Sequence, residues 1–228
     1  MVRIYFLSAF KTMKKKAHER LKLSYIEKKD LIRARLKEFR TIIEQGDDIR
    51  IFEELVFCIF TAGTSARMGL RSVSAVSDIL LDGGFEELSS RLQHVHRFPN
   101  SRARYIVHTR EYLKREFGFK LKDLMLCLED PLDRRDFLAT NKGIKGVGYK
   151  EASHFLRNIG FSGYAILDKH ILKTLNELKL IENVKPPTTR NKYLRIESKL
   201  KRFATDLGID FDELDLLLWS EKTGEILK

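Results

Sequence analysis

The chain has 228 residues, an apolar content of 43% and a formal net charge of +11. This length can bury one good core or two small ones, and the apolar content is ordinary for a soluble globular protein. No apolar run reaches about 18 residues, so we expect no transmembrane helix and a cytoplasmic protein, while the excess of positive charge favours a polyanion such as nucleic acid as partner.

The predicted elements are helical throughout, because proline is scarce and apolar residues recur with the spacing of an α-helix. Residues 14–46 are highly charged, and the basic tract 11–20 is either a DNA-facing arm or a solvated helix face, so the role of residues 1–50 stays open. The apolar run 51–61 predicts a buried central helix. Further helices are predicted at 66–81, 85–93, 101–117, 131–141, 149–159, 168–180, 190–207 and 211–221. We therefore expect an all-α fold of two helical lobes with a cleft between them.

A glycine-rich stretch separates two of these predicted helices and is the most informative segment of the chain. Gly146 and Gly148 flank one apolar residue, which suits a tight hairpin because glycine tolerates backbone conformations in which a Cβ would clash. The N–H groups of such a hairpin, with the start of the next helix, can face a phosphate. Lys145, just before the first of these glycines, adds a positive charge there.

A lysine and an aspartate follow this hairpin at an informative spacing. Lys150 falls in the first turn of the second helix, and Asp168 lies eighteen residues further along the chain. An amine held against DNA with a carboxylate nearby is what a nucleophilic lyase requires. The simpler alternatives are a phosphate contact for Lys150 and an N-cap of the following helix for Asp168. Capping by Asp168 does not exclude catalysis.

Two segments of the sequence resemble a known enzyme family. The run KGVGYKEASHFLRN at 145–158 resembles the helix-hairpin-helix motif of base-excision DNA glycosylases and, over its whole length, the archaeal-type 8-oxoguanine DNA glycosylase/AP lyases. The chain's end, LWSEKTGEILK at 218–228, resembles the same branch, whose members close with a tryptophan nine residues before a terminal lysine. The resemblance is weakest over the first fifty residues. It implies one glycosylase domain over 1–228, in two lobes, with the motif (about 131–160) at the mouth of the cleft.

The resemblance implies a bifunctional enzyme that removes 8-oxoguanine from double-stranded DNA. The hairpin, through Lys145, Gly146 and Gly148, is expected to grip the phosphate backbone without reading sequence, while the damaged base is extruded into a pocket. Lys150 is expected to attack C1′ of the flipped nucleotide, with Asp168 stabilising the positive charge that develops on the sugar. The imine formed in this way then leads to β-elimination and a nick in the strand.

Recognition of the base is also implied by the resemblance and falls at the end of the chain. Trp219, the only tryptophan, is expected to stack on the flipped base. The alternative is a core tryptophan among neighbouring leucines. Lys228 is expected to reach the pocket and distinguish 8-oxoguanine from guanine, because only the oxidised base carries an N7–H donor. The alternative is a frayed terminus.

No metal or resident cofactor is expected. Cys58 and Cys127 are the only cysteines; both lie in apolar settings that predict buried thiols, and two cysteines cannot form a four-cysteine iron–sulfur site. His94 and His96 lack a carboxylate or cysteine partner in the sequence, so no zinc site is predicted. A monovalent cation held by backbone carbonyls of the hairpin is compatible with the resemblance. We expect a monomer from a prokaryote, with no membrane partner.

Two other functions stay open at this point. The first is a glycosylase of the same fold that acts on another lesion; the match at the chain's end argues against it. The second is a non-catalytic DNA-binding module that uses the hairpin only to grip the backbone. The spacing of Lys150 and Asp168 and the single tryptophan, Trp219, argue against the second without excluding it.

Overall fold

The computed structural model describes the backbone of residues 2–227 and the side chains of residues 16–227. Regular structure over this range is entirely helical, which confirms the predicted all-α class. A short 3₁₀ turn, Ser77–Ile79, follows α3. The α-helices are α1 Val2–Gln45, α2 Asp48–Thr61, α3 Ala66–Val76, α4 Phe85–Leu92, α5 Pro99–Phe117, α6 Leu121–Cys127, α7 Pro131–Thr140, α8 Tyr149–Asn158, α9 Lys169–Glu177, α10 Arg190–Leu207 and α11 Phe211–Thr223.

Local signals in the sequence account for most of the helix boundaries. The side chain of Asp130 caps α7 by accepting from the N–H groups of Leu132 and Asp133, and Pro131 occupies the first turn as predicted. Ser65 caps α3 in the same way. Helix α6 has no counterpart among the predicted elements, because its seven residues cover only two turns and are too few to show a helical period.

The chain divides into two compact units. One, which we call the hairpin unit, comprises Lys37–Ile166; the other, the terminal unit, comprises the chain up to Leu36 together with Leu167–Leu227. The long helix α1 contributes residues to both. That the two lobes make one domain, with the hairpin at the mouth of a cleft, stays a prediction.

The core of the hairpin unit is built on α2. Ten of the fourteen residues of this helix are buried, which confirms the prediction of a buried helix over 51–61. Helices α3, α5, α6 and α8 pack against α2, and the apolar side chains of all five join one core cluster. Because α8 follows the glycine-rich loop, this packing fixes the position of the second hairpin helix.

The terminal unit is built on α11, against which α9 and α10 pack. Leu21 of α1 is buried, and ion pairs join this helix to α11: Lys28 to Glu221 across 2.6 Å, and Arg33 Nε to Glu213 Oε1 across 2.8 Å. Residues 16–36 therefore form a helix of the terminal unit.

Candidate active site

The two helices on either side of the glycine-rich loop form a helix-hairpin-helix, as predicted. Helix α7 ends at Thr140, and α8 begins at Tyr149 directly after Gly148. The two helices pack against each other inside the hairpin unit. The motif predicted over about 131–160 is therefore present, and its loop connects the two packed helices in eight residues.

Two glycines of the hairpin loop are required by its geometry. Gly146 has a φ of +76°, and a Cβ built on it would lie 2.6 Å from Cδ2 of Tyr105. A Cβ on Gly143 would lie 2.3 Å from the ring of Tyr112. Gly148 has a φ of −103°, and the nearest atom would lie 3.5 Å from its Cβ. The prediction that a Cβ would clash in the loop is thus confirmed for Gly146 and wrong for Gly148. A backbone contact of Gly148 with DNA stays a prediction.

Some backbone amides of the loop already have acceptors within the protein. The N–H of Lys145 donates to Thr109 Oγ1 across 3.0 Å, and that of Gly148 donates to Glu151 Oε2 across 3.3 Å. Val147, between the two glycines, is buried. A phosphate that binds the amide of Lys145 or Gly148 therefore has to compete with Thr109 or Glu151.

The candidate nucleophile lies in the first turn of α8, as predicted, and is paired with its neighbour. The Nζ of Lys150 lies 2.9 Å from Oε1 of Glu151, with side-chain exposures of 24% and 14%. The amine is therefore close to the surface and held by a carboxylate. Sequence reasoning did not single out Glu151. The signal that could have found it is its position three residues after the N-cap Gly148, where a capping glutamate reaches back to the helix start.

The rest of α8 is anchored firmly to the core. Phe155 and Leu156 are fully buried, and Asn158 Nδ2 donates to Oε2 of the buried Glu54 on α2 across 3.2 Å. Because buried polar groups that are hydrogen-bonded specify one arrangement of the helices that carry them, this contact and the apolar packing determine where the backbone of Lys150 lies.

The thiol of Cys58 on α2 lies within electrostatic range of the candidate nucleophile. Burial raises the pKa of Cys58 well above its usual range; the charges of Glu54 and Glu151 raise it further, and that of Lys150 opposes them. The thiol is therefore neutral at ordinary pH. Cys127, in contrast, is exposed; the prediction of a buried thiol is wrong there, because Cys127 is the last residue of α6.

The remaining predicted site residues belong to the terminal unit or follow it. The Oδ1 atom of Asp168 caps α9 by accepting from the N–H groups of His170 and Ile171, each across 2.8 Å, which confirms the predicted cap. Trp219 on α11 is only partly buried, whereas four leucines of that helix are fully buried; its stacking on the flipped base stays a prediction. Lys228 lies outside the described residues. The pairing of the hairpin lysine with Asp168 stays a prediction.

The described part of the chain contains no group of three or more histidine, cysteine or acidic side chains that could hold a metal ion. His96 is buried, with Nε2 3.0 Å from Phe60 O and Nδ1 accepting from Phe98 N across 2.9 Å, so both ring nitrogens have protein partners. Across the described residues, no helix combines the length and apolar character needed to cross a membrane.

Comparisons with known proteins agree on one family. The chain matches the Ogg-HhH family model, described as 8-oxoguanine DNA glycosylase, over residues 32–209. It is 40% identical over 211 residues to the 8-oxoguanine DNA glycosylase/AP lyase of Methanocaldococcus jannaschii. The aligned region covers 92% of this chain and 97% of the relative. Its fold is similar to the crystal structure of the Thermotoga maritima 8-oxoguanine DNA glycosylase, with a TM-score of 0.85 and 36% identity over 94% of this chain and 100% of the other. It is also similar to the M. jannaschii 8-oxoguanine glycosylase/lyase in complex with a 15mer DNA containing 8-oxoguanine, with a TM-score of 0.84 and 38% identity over 93% of this chain and 100% of the other.

Proposed function

The chain belongs to the 8-oxoguanine DNA glycosylase/AP lyase family, and on that premise we propose that it removes 8-oxoguanine from double-stranded DNA and then nicks the strand. We infer the substrate from the M. jannaschii relative, whose crystal structure is a complex with DNA that contains 8-oxoguanine. The net charge of +11 suits this partner, because a positive field speeds encounter with the duplex and strengthens its binding.

The placement of Lys150 is the observation that carries the proposal. Its amine is partly exposed at the start of α8, four residues beyond the left-handed Gly146. In the proposed reaction Nζ attacks C1′ of the flipped nucleotide, and the bond to the base breaks as the new bond forms. Asp168 supplies the negative charge that stabilises the sugar as positive charge develops on it. Loss of a proton from the attached nitrogen, followed by opening of the C1′–O4′ bond with protonation of O4′, gives the imine. β-Elimination then removes a proton from C2′ and breaks the C3′–O bond, which nicks the strand on the 3′ side.

Recognition of backbone and base is proposed to be divided between the hairpin and the end of the chain. The hairpin, through Lys145, Gly146 and Gly148, contacts phosphates, which position the protein without reading the sequence. Trp219, which is partly buried, is proposed to stack its indole on the extruded base. An acceptor at Lys228 is proposed to select 8-oxoguanine through its N7–H donor, which guanine lacks.

A nicking assay with matched duplexes tests the proposal. Three duplexes differ at one position, which holds 8-oxoguanine, guanine or uracil, and enzyme is kept in saturating excess so that changes in affinity do not affect the rate. The native chain should nick only the 8-oxoguanine strand. Lys150→Gln should bind that duplex but leave it intact, whereas Lys142→Gln, at an exposed position of the same loop, should nick at the native rate.

Two outcomes of this assay contradict the proposal. Nicking confined to a duplex with a different base would identify a glycosylase of the same fold with another lesion preference. If the native chain binds the duplex but neither nicks it nor removes the base, the protein is a non-catalytic DNA-binding module.

The proposed chemistry also sets requirements for cofactors and assembly. An amine and a carboxylate suffice for attack, imine formation and elimination, so activity should survive excess EDTA. A monovalent cation bound by backbone carbonyls of the hairpin would contribute to DNA binding and not to the chemical steps. We propose a monomer acting in the cytoplasm of a prokaryote with no membrane partner, and sedimentation of the free chain tests its assembly state.

A further inference from the structure

We infer that Glu151 is a catalytic residue of this site: its carboxylate takes a proton from Lys150 and holds the amine in the direction of attack. The inference rests on the proposed function, in which Lys150 is the nucleophile. It adds a second carboxylate to that reaction, distinct from Asp168, and gives it the separate task of producing the neutral amine.

The two oxygens of Glu151 are held in different ways, which orients the carboxylate. Oε2 accepts from the N–H of Gly148 across 3.3 Å, and Oε1 lies 2.9 Å from Nζ of Lys150. In the free protein the first contact holds the carboxylate against the start of α8, where the helix dipole also favours a negative charge. The second lies within the heavy-atom distance required of a general base. With only 14% of its side chain exposed, Glu151 is also shielded from solvent.

Other titratable and charged side chains near α8 are less suited to take this proton. The buried ones on α2, α5, α7 and α8 are Glu54, Cys58, Arg102, Arg110, Arg134, Arg135, His154 and Arg157. Arginines carry a proton at ordinary pH and cannot accept another. Glu54 is fully buried, forms an ion pair with Arg50 Nη2 across 3.1 Å and accepts from Asn158 Nδ2 across 3.2 Å. Burial keeps the Cys58 thiol protonated, and the His154 ring packs edge-on against Phe57 with centroids 5.5 Å apart. Glu151 is the side chain whose carboxylate oxygen contacts Nζ.

The step balances without any further reagent. One Nζ–H proton passes to Oε1, which leaves a lone pair on Lys150. That pair forms the N–C1′ bond as the glycosidic bond to the base breaks, and the bond's electron pair leaves with the base. The departing base takes up a proton from solvent. Glu151 then releases its proton to solvent and can accept the second proton that Nζ loses on the way to the imine.

The test compares Glu151→Gln with the native chain by borohydride trapping on an 8-oxoguanine duplex, under saturating enzyme and over a range of pH. Glutamine keeps the size and an oxygen for the Gly148 N–H but cannot accept the proton. Trapping should slow by about 10²–10⁴-fold near neutral pH, the usual range for loss of a general base. The deficit should shrink as pH rises, because hydroxide then takes the proton instead. Duplex affinity and thermal melting should stay at native values.

Two further variants make the result specific. Glu151→Asp restores a carboxylate on a shorter side chain and should recover part of the rate lost in the glutamine variant. Glu53→Gln is the matched control, since Glu53 also pairs with a neighbouring cation, Arg50, across 2.8 Å, but lies away from Lys150 in the sequence and on another helix; it should trap at the native rate.

The outcomes separate this inference from the proposed function. No adduct from the native chain overturns the proposed function itself. A native adduct with equal trapping by Glu151→Gln overturns the role of Glu151 alone. A deficit of the same size at every pH also overturns it, because a purely structural cap would slow the reaction without any dependence on solution base.

Discussion

A single methyl group at Gly146 tests whether the hairpin loop is built as the structure shows. The residue has a φ of +76°, and a left-handed conformation costs an L-residue about 1–2 kcal/mol. The added Cβ would lie 2.6 Å from Cδ2 and 3.2 Å from Cε2 of Tyr105, so the ring or the loop has to move. Overpacking of this kind costs about 1–3 kcal/mol. Gly146→Ala should therefore lower the free energy of unfolding by roughly 2–5 kcal/mol.

The matched control is another left-handed glycine of the hairpin unit that has open space around it. Gly118 has a φ of +56°, and apart from its two chain neighbours no described residue would lie within 4 Å of its Cβ, so Gly118→Ala should cost only the backbone strain of about 1–2 kcal/mol. Urea unfolding followed by circular dichroism measures both variants, and fluorescence anisotropy measures their affinity for duplex DNA. Gly146→Ala should also weaken DNA binding, because the displaced loop no longer presents its backbone correctly, while Gly118→Ala should not. Equal losses of stability in the two variants would refute the crowding argument.

Three further predictions address the terminal unit and the cysteines. Asp168→Asn keeps an oxygen for the two cap bonds, so thermal melting should stay close to native. Single-turnover excision should fall by about 10²–10³-fold because the negative charge is lost. A loss of thermal stability alongside the loss of rate would contradict separate roles in capping and catalysis. Trp219→Leu should slow excision by roughly 5–150-fold, since stacking on a base is worth about 1–3 kcal/mol. Its affinity for undamaged duplex should stay unchanged. In the native chain maleimide should label Cys127 and spare Cys58, which is buried with a raised pKa. Peptide mass spectrometry identifies the labelled cysteine. Labelling of Cys58 before unfolding would contradict the prediction and show that this part of the core opens.

The features that could be predicted from the sequence are those set by neighbouring residues. Asp130 and Pro131 mark the start of α7 because caps and the first turn depend on local hydrogen bonding. The apolar run of α2 indicates a buried helix for a similar reason, since few polar side chains interrupt it. The hairpin and the position of Lys150 follow from the spacing of glycines between two such helices.

The features that could not be predicted depend on residues distant in the sequence. Gly143 is required because Tyr112 of α5, 31 residues earlier in the chain, lies against it, and no local pattern reveals that neighbour. Gly148 has ordinary φ despite its place in the motif. The pairing of Glu151 with Lys150 depends on side-chain conformations in the first turn of α8, where the sequence alone allows capping, a phosphate contact or an ion pair.

The central claim is that the Lys150 amine forms the covalent bond to DNA, and the most direct measurement is to locate that bond. Duplex DNA with one 8-oxoguanine is incubated with the native chain and borohydride, the adduct is digested, and mass spectrometry identifies the residue that carries the sugar remnant. The account predicts a single modified peptide, attached through Lys150, and no adduct from Lys150→Gln. An adduct on another lysine, or an adduct that persists in Lys150→Gln, would contradict it.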